Sequence, residues 1–516
     1  MQVLIANPAF RRDVGGGLER YMLGSGMRFP WSLLKRKEER PRYAMFPLFL
    51  AYAAALLEKD GFTVKVIDAV PLNVGEEEFL RRVQEVNPAV ILFEPNAAVV
   101  EDLLLLITKI RKVVSAKFVL AGTHATATVS ELMEQYEVVD YVVVGEYELA
   151  FLELMRTLRD KGSVEDLKGI AYRNVIGDIV QSGRTEPIAP LDALPMPARH
   201  MFPAYFDTDM SVYRDGFCQH SPAYHMHTSR GCPFQCNFCD RIQVLFADNK
   251  QRLFSPTRIV DEMLVVAAAG AREIYFDDDN FTANKTHVGQ ICEEIIRRNV
   301  NIPWSAMCDA MILNAPFLEK MVQAGCIGIK FGLDSADARV LSAINKPLKL
   351  KTLESIVDKA KSLKIKTHMS VVLGLTGETR ETLHKTFDYA CDIDIDSIQF
   401  SLATPLPGTS MYEDLKESGL SSRKWSDLDG ANRTVVLYED ISQEYLEAFM
   451  ANSHSHWLRA KFKDPRWLFR QSRFLARTAK SQGLPGLYKR LIRAVTLLRG
   501  DAMMVREAEN TKVMRF

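Results

Sequence analysis

Strand-length apolar segments alternate with longer amphipathic stretches along the first 160 residues. Val3–Ala6, Thr63–Ile67, Val90–Phe93, Phe118–Ala121 and Tyr141–Val144 have the length and residue types of strands. Between them, Met45–Lys59, stopped by Gly61, and Val99–Val113 carry helical patterns. This alternation predicts a parallel, doubly wound sheet that takes ligands at the carboxyl ends of its strands. The loops after Ala6, Phe93 and Ala121 form the predicted binding edge. A β-rich connector, Gly169–Tyr172 and Ile179–Val180, and a proline-dense linker, Pro187–Pro197, come next. Strand–helix alternation then resumes from about 222 to about 415, the length of a partial (β/α)6 barrel of TIM type, with its chemistry at the carboxyl strand ends. The predicted class is α/β. Residues 1–160 form the doubly wound domain, 161–221 the connector and linker, 222–415 the partial barrel, and 416–516 an α-helical C-terminal region.

That last region differs in kind. Trp457, Phe462, Trp467, Phe469, Leu487 and Tyr488 are interleaved with Arg459, Lys463, Arg466, Arg470, Lys489 and Arg490. Two readings stand: basic amphipathic helices on a membrane surface, broken into two at Gly483–Gly486, or a helical cap whose apolar face packs on the barrel. Gly15-Gly16-Gly17 lacks the lysine and spacing of a phosphate loop and predicts a mobile insertion, with basic Lys35–Arg42, beside the binding edge.

Composition narrows the partners. The 516 residues include 65 Lys+Arg against 65 Asp+Glu and are 47% hydrophobic. With no global field, bulk charge suggests no nucleic-acid partner. The chain opens directly on an apolar strand without a secretory pattern, and its longest apolar run, Met45–Leu57, is too short to span a bilayer. The expected location is the cytoplasm, with peripheral contact at the inner face of the membrane as a further expectation. Cys218, Cys292, Cys308, Cys326 and Cys391 are scattered and predict reduced, packed thiols.

The remaining three cysteines, Cys232, Cys236 and Cys239, lie in Ser229–Asp240 at C-x3-C-x2-C spacing. This spacing lets one loop point three soft thiolates at a single centre, which suits an iron–sulfur cluster or zinc. A cubane held by three cysteines leaves one iron open. A zinc site needs a fourth ligand, and Asp240, His225 and His227 are poorly placed for it. Phe238, just before the third cysteine, has no role in a zinc loop.

The loop resembles the cluster motif of the radical S-adenosylmethionine (SAM) enzymes. That resemblance implies a [4Fe–4S] cluster whose open iron is chelated by SAM, and an electron-driven cleavage of SAM to a 5′-deoxyadenosyl radical that abstracts hydrogen from carbon. The order of later motifs extends it. Asp277, Asp278 and Asp279, after the strand Glu273–Phe276, stand where the family accepts hydrogen bonds from the SAM ammonium. Gly328–Ser335 resembles the fourth-strand motif that holds the ribose and carboxylate, with Asp334 in place of the usual glutamate and Ser335 beside it. Ser370 belongs to the inward polar groups of His368–Ser370, and Leu373 and Gly374 belong to the glycine turn that packs on adenine.

The N-terminal half, placed ahead of such a loop, resembles the cobalamin-binding domain of cobalamin-dependent radical SAM enzymes. The family's D-x-H-x-x-G motif after the first strand is replaced by Asn7–Asp13, without histidine. The resemblance therefore implies cobalamin bound without a protein histidine below cobalt. Gly122, Thr123 and His124 resemble the small-residue turn beside which the nucleotide tail passes. Among such enzymes the layout most resembles the group of the anaerobic magnesium-protoporphyrin cyclase, the bacteriochlorophyllide methylases and the hopanoid-modifying enzymes. This implies methyl transfer to an unactivated carbon of a hydrophobic small molecule from tetrapyrrole or lipid biosynthesis, with an external one-electron donor such as flavodoxin or ferredoxin. Oxidative cyclisation on the same substrate class and a non-catalytic iron–sulfur or zinc protein are the alternatives.

Overall fold

The computed structural model describes residues 1–202, 212–417 and 419–476. The first strand, β1 (Gln2–Asn7), is followed by a meander of β2 (Phe10–Gly15), β3 (Leu18–Leu23) and β4 (Trp31–Arg36), which forms its own three-stranded antiparallel sheet. The chain then returns to the first sheet with β5 (Thr63–Asp68), β6 (Val90–Phe93), β7 (Lys117–Leu120), β8 (Tyr141–Val143), β9 (Ile170–Arg173) and β10 (Ile179–Gln181). Their order is β10-β9-β8-β7-β6-β1-β5. The pairs from β5 to β8 are parallel, and β9 and β10 add antiparallel.

Gly15–Gly17 turns β2 into β3 within a meander inserted after β1, and all three glycines have positive φ, which suits glycine because it lacks a Cβ. One expectation is corrected here. The segments read as a connector are edge strands of the first sheet, because Tyr141, Val142 and Val143 pair with Tyr172, Ala171 and Ile170.

The second sheet contains β11 (Ala223–Met226), then, past the small pair β12 (Ser229–Arg230) and β13 (Arg252–Leu253), β14 (Glu273–Phe276), β15 (Trp304–Met307), β16 (Cys326–Asp334), β17 (Lys366–Leu373) and β18 (Ser397–Leu402). Its order, β11-β14-β15-β16-β17-β18, is parallel throughout, as in a six-stranded partial barrel.

The helix Leu48–Lys59 joins the two halves. Every residue from Leu48 to Leu57 is buried, because the helix packs between elements of both halves. Phe49 meets Tyr147 on one side and His227 on the other, and Tyr52 stacks on Phe254. A helix that is apolar all round belongs in an interior. The longest apolar run of the sequence is thus the seam between the two sheets, each large side chain contributing roughly 2 kcal/mol by burial.

Of the two readings of the C-terminal region, the described part follows the cap. The helix Gln443–Lys461 lies against β18 and the helix Arg380–Asp392. Trp457 Nε1 donates to Ala390 O at 2.9 Å, Lys461 Nζ donates to Cys391 O and Ile393 O, both at 2.7 Å, and Arg470 pairs with Asp396 at 3.0 Å. Phe462, Leu468 and Phe469 remain exposed. Gly483–Gly486, Leu487, Tyr488, Lys489 and Arg490 lie outside the described residues. No helix among the described residues is long and apolar enough to cross a membrane.

Candidate cluster and substrate site

The cysteine loop begins where β12 ends. Gly231 has φ +92°, and a Cβ there would lie 2.5 Å from Lys250 O. Both backbone angle and space demand glycine. Its N–H donates to Asp279 Oδ2 at 3.0 Å, which ties the start of the loop to the end of β14. Further along, Asn237 N donates to Ile344 O at 3.2 Å and Met411 N to Asn237 O at 3.0 Å. Cys236 O accepts from Cys239 N at 3.1 Å and from Gln243 Nε2 at 2.8 Å. Cys232, Cys236 and Cys239 are free, partly buried, and lie on the wall of one cavity. Burial pushes the Cys232 and Cys236 thiols up to about 11, so thiolates here need a bound cation.

Among the described residues, no group of three or more His, Cys, Asp or Glu side chains is arranged around a single metal ion. A cubane takes its thiolates on separate iron atoms, and three thiols on one wall leave its fourth iron open.

Strand alternation sorts the three aspartates. Asp277 and Asp279 line the cavity. Asp278 points the other way, is fully buried, and accepts from Thr228 N at 2.6 Å and Ser229 N at 3.2 Å as well as from the Thr228 hydroxyl. Burial pushes its carboxyl up to about 7. Its carboxylate is thus engaged inside the strand–loop junction and is absent from the cavity wall. Asp277 Oδ1 accepts from Arg28 Nε at 3.1 Å and Nη2 at 2.9 Å, so an arginine from the meander already holds it. Asp279 keeps accepting capacity beyond Gly231 N and a 3.5 Å contact with Arg241.

Asp334 and Ser370 also line the cavity. Asp334 has φ +59°, where the β16–β17 register shifts. This left-handed conformation is strained for a residue with a Cβ, and the side chain it re-aims pairs with Lys346 Nζ. Ser335, Leu373 and Gly374 do not reach the cavity. The Ser335 hydroxyl is fully buried and bonds with Thr386 Oγ1 at 3.1 Å and Asp337 N at 3.1 Å. Leu373 is fully buried in the core. Tyr438 closes over Gly374, donating to its carbonyl at 2.7 Å.

Little in the sequence points to the ion network behind the loop. Arg230, next to Gly231, is buried, with Nη1 3.2 Å from Glu146 Oε1 and Nη2 on Glu148. Its guanidinium lies 4.7 Å from the Phe49 ring centre and 5.3 Å from that of Tyr52. Arg252 Nη2 donates to Glu146 Oε1 at 3.0 Å. Burial pushes the Glu148 carboxyl up, and Arg230 opposes that shift. The only sequence signal was the turn Gly145-Glu146 at a strand end.

At the carboxyl edge of the first sheet, Gly122 has φ +91°, and a Cβ there would lie 2.7 Å from Glu94 Cγ. Thr123 and His124 follow and line a small void of about 40 Å³ with Glu94 and Asn96. His124 is buried edge-on to Trp425, ring centres 4.8 Å apart, and burial pulls it down to about 3, so it is neutral. Both of its ring nitrogens, Glu94 Oε2 and Asn96 Oδ1 are buried without a partner. Buried polar atoms of this kind call for a ligand or water, and they fit the amide-rich periphery of cobalamin. The segment Gly24–Pro30 lies over this edge: Ser25 N donates to Asn7 Oδ1 at 3.2 Å and Ser25 Oγ to Glu94 O at 2.8 Å. Its residues Met27, Arg28 and Phe29 line both the void and the large cavity.

That large cavity measures about 2500 Å³ and extends from the cysteine loop along β16, β17 and β18 to the C-terminal helices. It has room for both a nucleoside cofactor and a second molecule.

Comparison with known proteins agrees with this architecture. Residues 226–390 match the radical SAM superfamily, and residues 40–155 match the B12 binding domain. An uncharacterised methyltransferase of Pyrococcus horikoshii is 29% identical over 80% of this chain and 88% of its own length. The cytidylyl-2-hydroxyethylphosphonate methyltransferase of Streptomyces wedmorensis is 27% identical over 74% of this chain and 80% of its own. The structure of the radical SAM methyltransferase TsrM from Kitasatospora setae, with cobalamin and [4Fe–4S] cluster bound, superposes with a TM-score of 0.62 at 20% identity, over 82% of this chain and 80% of that one.

Proposed function

Since the chain is a radical SAM protein with a B12-binding domain ahead of its barrel, we propose that it transfers a methyl group to an unactivated carbon of a small molecule held in the large cavity. One observation carries this reading: the three cluster cysteines and a space large enough for cofactor and substrate share a single wall. The relatives named as methyltransferases support the reaction type.

Cys232, Cys236 and Cys239 would hold the cluster, with SAM completing it, and the Gly122–His124 edge would hold cobalamin. Bound together, these groups supply hydrogen abstraction from carbon and a methyl carrier. The chain's own contribution is placement. Gly231 and Asp279 fix the loop, and Asp279 has the accepting capacity for an ammonium group. Lys346 pairs with Asp334 at the cavity wall. Tyr275, Phe238 and Phe400 add aromatic surface to that wall, which suits a largely apolar substrate. Peripheral membrane contact through Phe462, Leu468 and Phe469, with Arg466 and Arg473, and electron delivery by a flavodoxin or ferredoxin belong to the same proposal.

The test is anaerobic reconstitution with SAM, a reductant and candidate tetrapyrroles or lipids. Release of 5′-deoxyadenosine with a product heavier by one methylene unit is the expected result. A product lighter by two hydrogens moves the assignment to oxidative cyclisation, and absence of SAM cleavage rejects both. A second measurement addresses cobalamin. β1 ends on Asn7, whose side chain is already engaged with Asp68 at 2.9 Å, and no histidine follows it before Asp13. The Co(II) form is therefore expected to lack nitrogen superhyperfine splitting in its paramagnetic resonance spectrum. Splitting that disappears in His124→Ala would instead make His124 a cobalt ligand.

A further inference from the structure

The substrate's chemical class can be taken further, on the premise that the large cavity is the substrate site. Two short segments run side by side at its rim. Ala44 N donates to Val212 O at 2.7 Å, and Arg214 N donates to Ala44 O at 3.1 Å. Each segment brings an arginine to the cavity wall: Arg42, exposed, and Arg214, half-buried. Neither has a partner among the described residues.

This sets them apart from every other Lys or Arg on the wall. Arg28 is committed to Asp277, Lys35 to Glu19, Arg241 to Asp279, Lys330 to Asp215 and Lys346 to Asp334. Lys366 donates to Phe217 O at 2.7 Å, and Arg20 and Arg40 hold partners as well. Among the described residues, Asp215 beside Arg214 is spent on Lys330 at 3.1 Å and on Phe217 N at 2.8 Å, and Glu39, close to Arg42 in the chain, also lines the wall. The surroundings are aromatic: Tyr43, Phe217, Trp31 and Phe29.

We propose that Arg42 and Arg214 form an anion subsite, and that the substrate is an amphiphile with an apolar body and a terminal carboxylate or phosphate. A guanidinium presents a planar fork of donors that matches both oxyanions. Two of them, backbone-tethered to one another at the rim, make a doubly positive entrance to an apolar chamber. Such an entrance orients an amphiphile by its head, with its body turned toward the cysteine loop.

Displacement of the neutral fluorophore N-phenyl-1-naphthylamine from the reconstituted full-length protein tests this. The competitors are dodecanol, dodecanoate and dodecyl phosphate. Both anions should displace the probe at concentrations at least tenfold below that of dodecanol. The double variant Arg42→Gln/Arg214→Gln should lose this gap while its dodecanol value stays in place, and the stronger anion identifies the head group. Equal displacement by all three, a gap that survives the double substitution, or a probe that does not enter overturns the inference. Release of 5′-deoxyadenosine by the same preparation reports on the proposed reaction separately. Its absence would reject the radical reading and leave the displacement result standing.

Discussion

Replacing Cys232, Cys236 and Cys239 together by alanine is expected to abolish the cluster and all SAM cleavage. The three thiols are free, share one cavity wall, and are held in a loop pinned at Gly231 by the Asp279 carboxylate and at Asn237 and Cys236 by backbone hydrogen bonds. None belongs to the deep core, so the triple variant should fold. Its unfolding midpoint, measured on protein without iron, should match that of the unsubstituted chain without iron. After anaerobic reconstitution the unsubstituted protein should show charge-transfer absorbance and about four irons per chain, the content of one cubane, whereas the variant should show neither. An intact cluster in the triple variant would remove these residues from the site and with them the proposed reaction. Because iron content, absorbance and midpoint are read separately, a folding defect cannot pass for lost ligation.

Glu148→Ala should be the most destabilising single change in the seam between the two sheets. The substitution leaves the Arg230 guanidinium buried with half of its charge compensation gone, since Glu146 is shared with Arg252. Removing one partner of a buried pair costs about 3–5 kcal/mol, mostly because the remaining charge is stranded away from water. Arg230 is adjacent to Gly231, so the same change should loosen the cluster loop and lower iron retention. The denaturant midpoint and iron content should fall together. In the otherwise unsubstituted chain, Arg230→Lys should lower both as well, because an ammonium cannot engage Glu146 and Glu148 from one planar fork. A midpoint within experimental error of the parent would show that the network contributes nothing to coupling the two halves. Arg230→Met then becomes informative: if a well-packed apolar side chain against Phe49 and Tyr52 recovers the midpoint but not the iron, the arginine sets the loop's position rather than its stability.

Much of the molecule was legible in one dimension, because the forces that select elements act locally. Val90–Phe93 and Glu273–Phe276 were read at their observed limits, since runs of apolar and aromatic residues this short have little alternative to an interior strand. The cysteine spacing and Phe238 were legible for the same reason: a loop of eight residues has few ways to arrange three thiols. Tertiary structure decided which groups face the chemistry. Asp277, Asp278 and Asp279 are equivalent as letters. Placed on the end of β14, alternate residues fall on opposite sides, so the middle one is lost to Thr228 and Ser229. Ser335 and Gly374 match motifs in the sequence, yet Thr386 and Tyr438, brought in from distant helix and loop, have taken their polar groups. Partners remote in the chain could not be read at all: Arg28 lies 249 residues from Asp277, and Arg230 84 from Glu146. The sequence determined the strand–helix alternation of the two halves and where the thiols lie, whereas the β2–β4 meander and the pairing of β9 and β10 appeared only in the fold. The packing of one half against the other determined which charges are buried and paired, because that depends on how much water each pair loses when the sheets close on the helix between them.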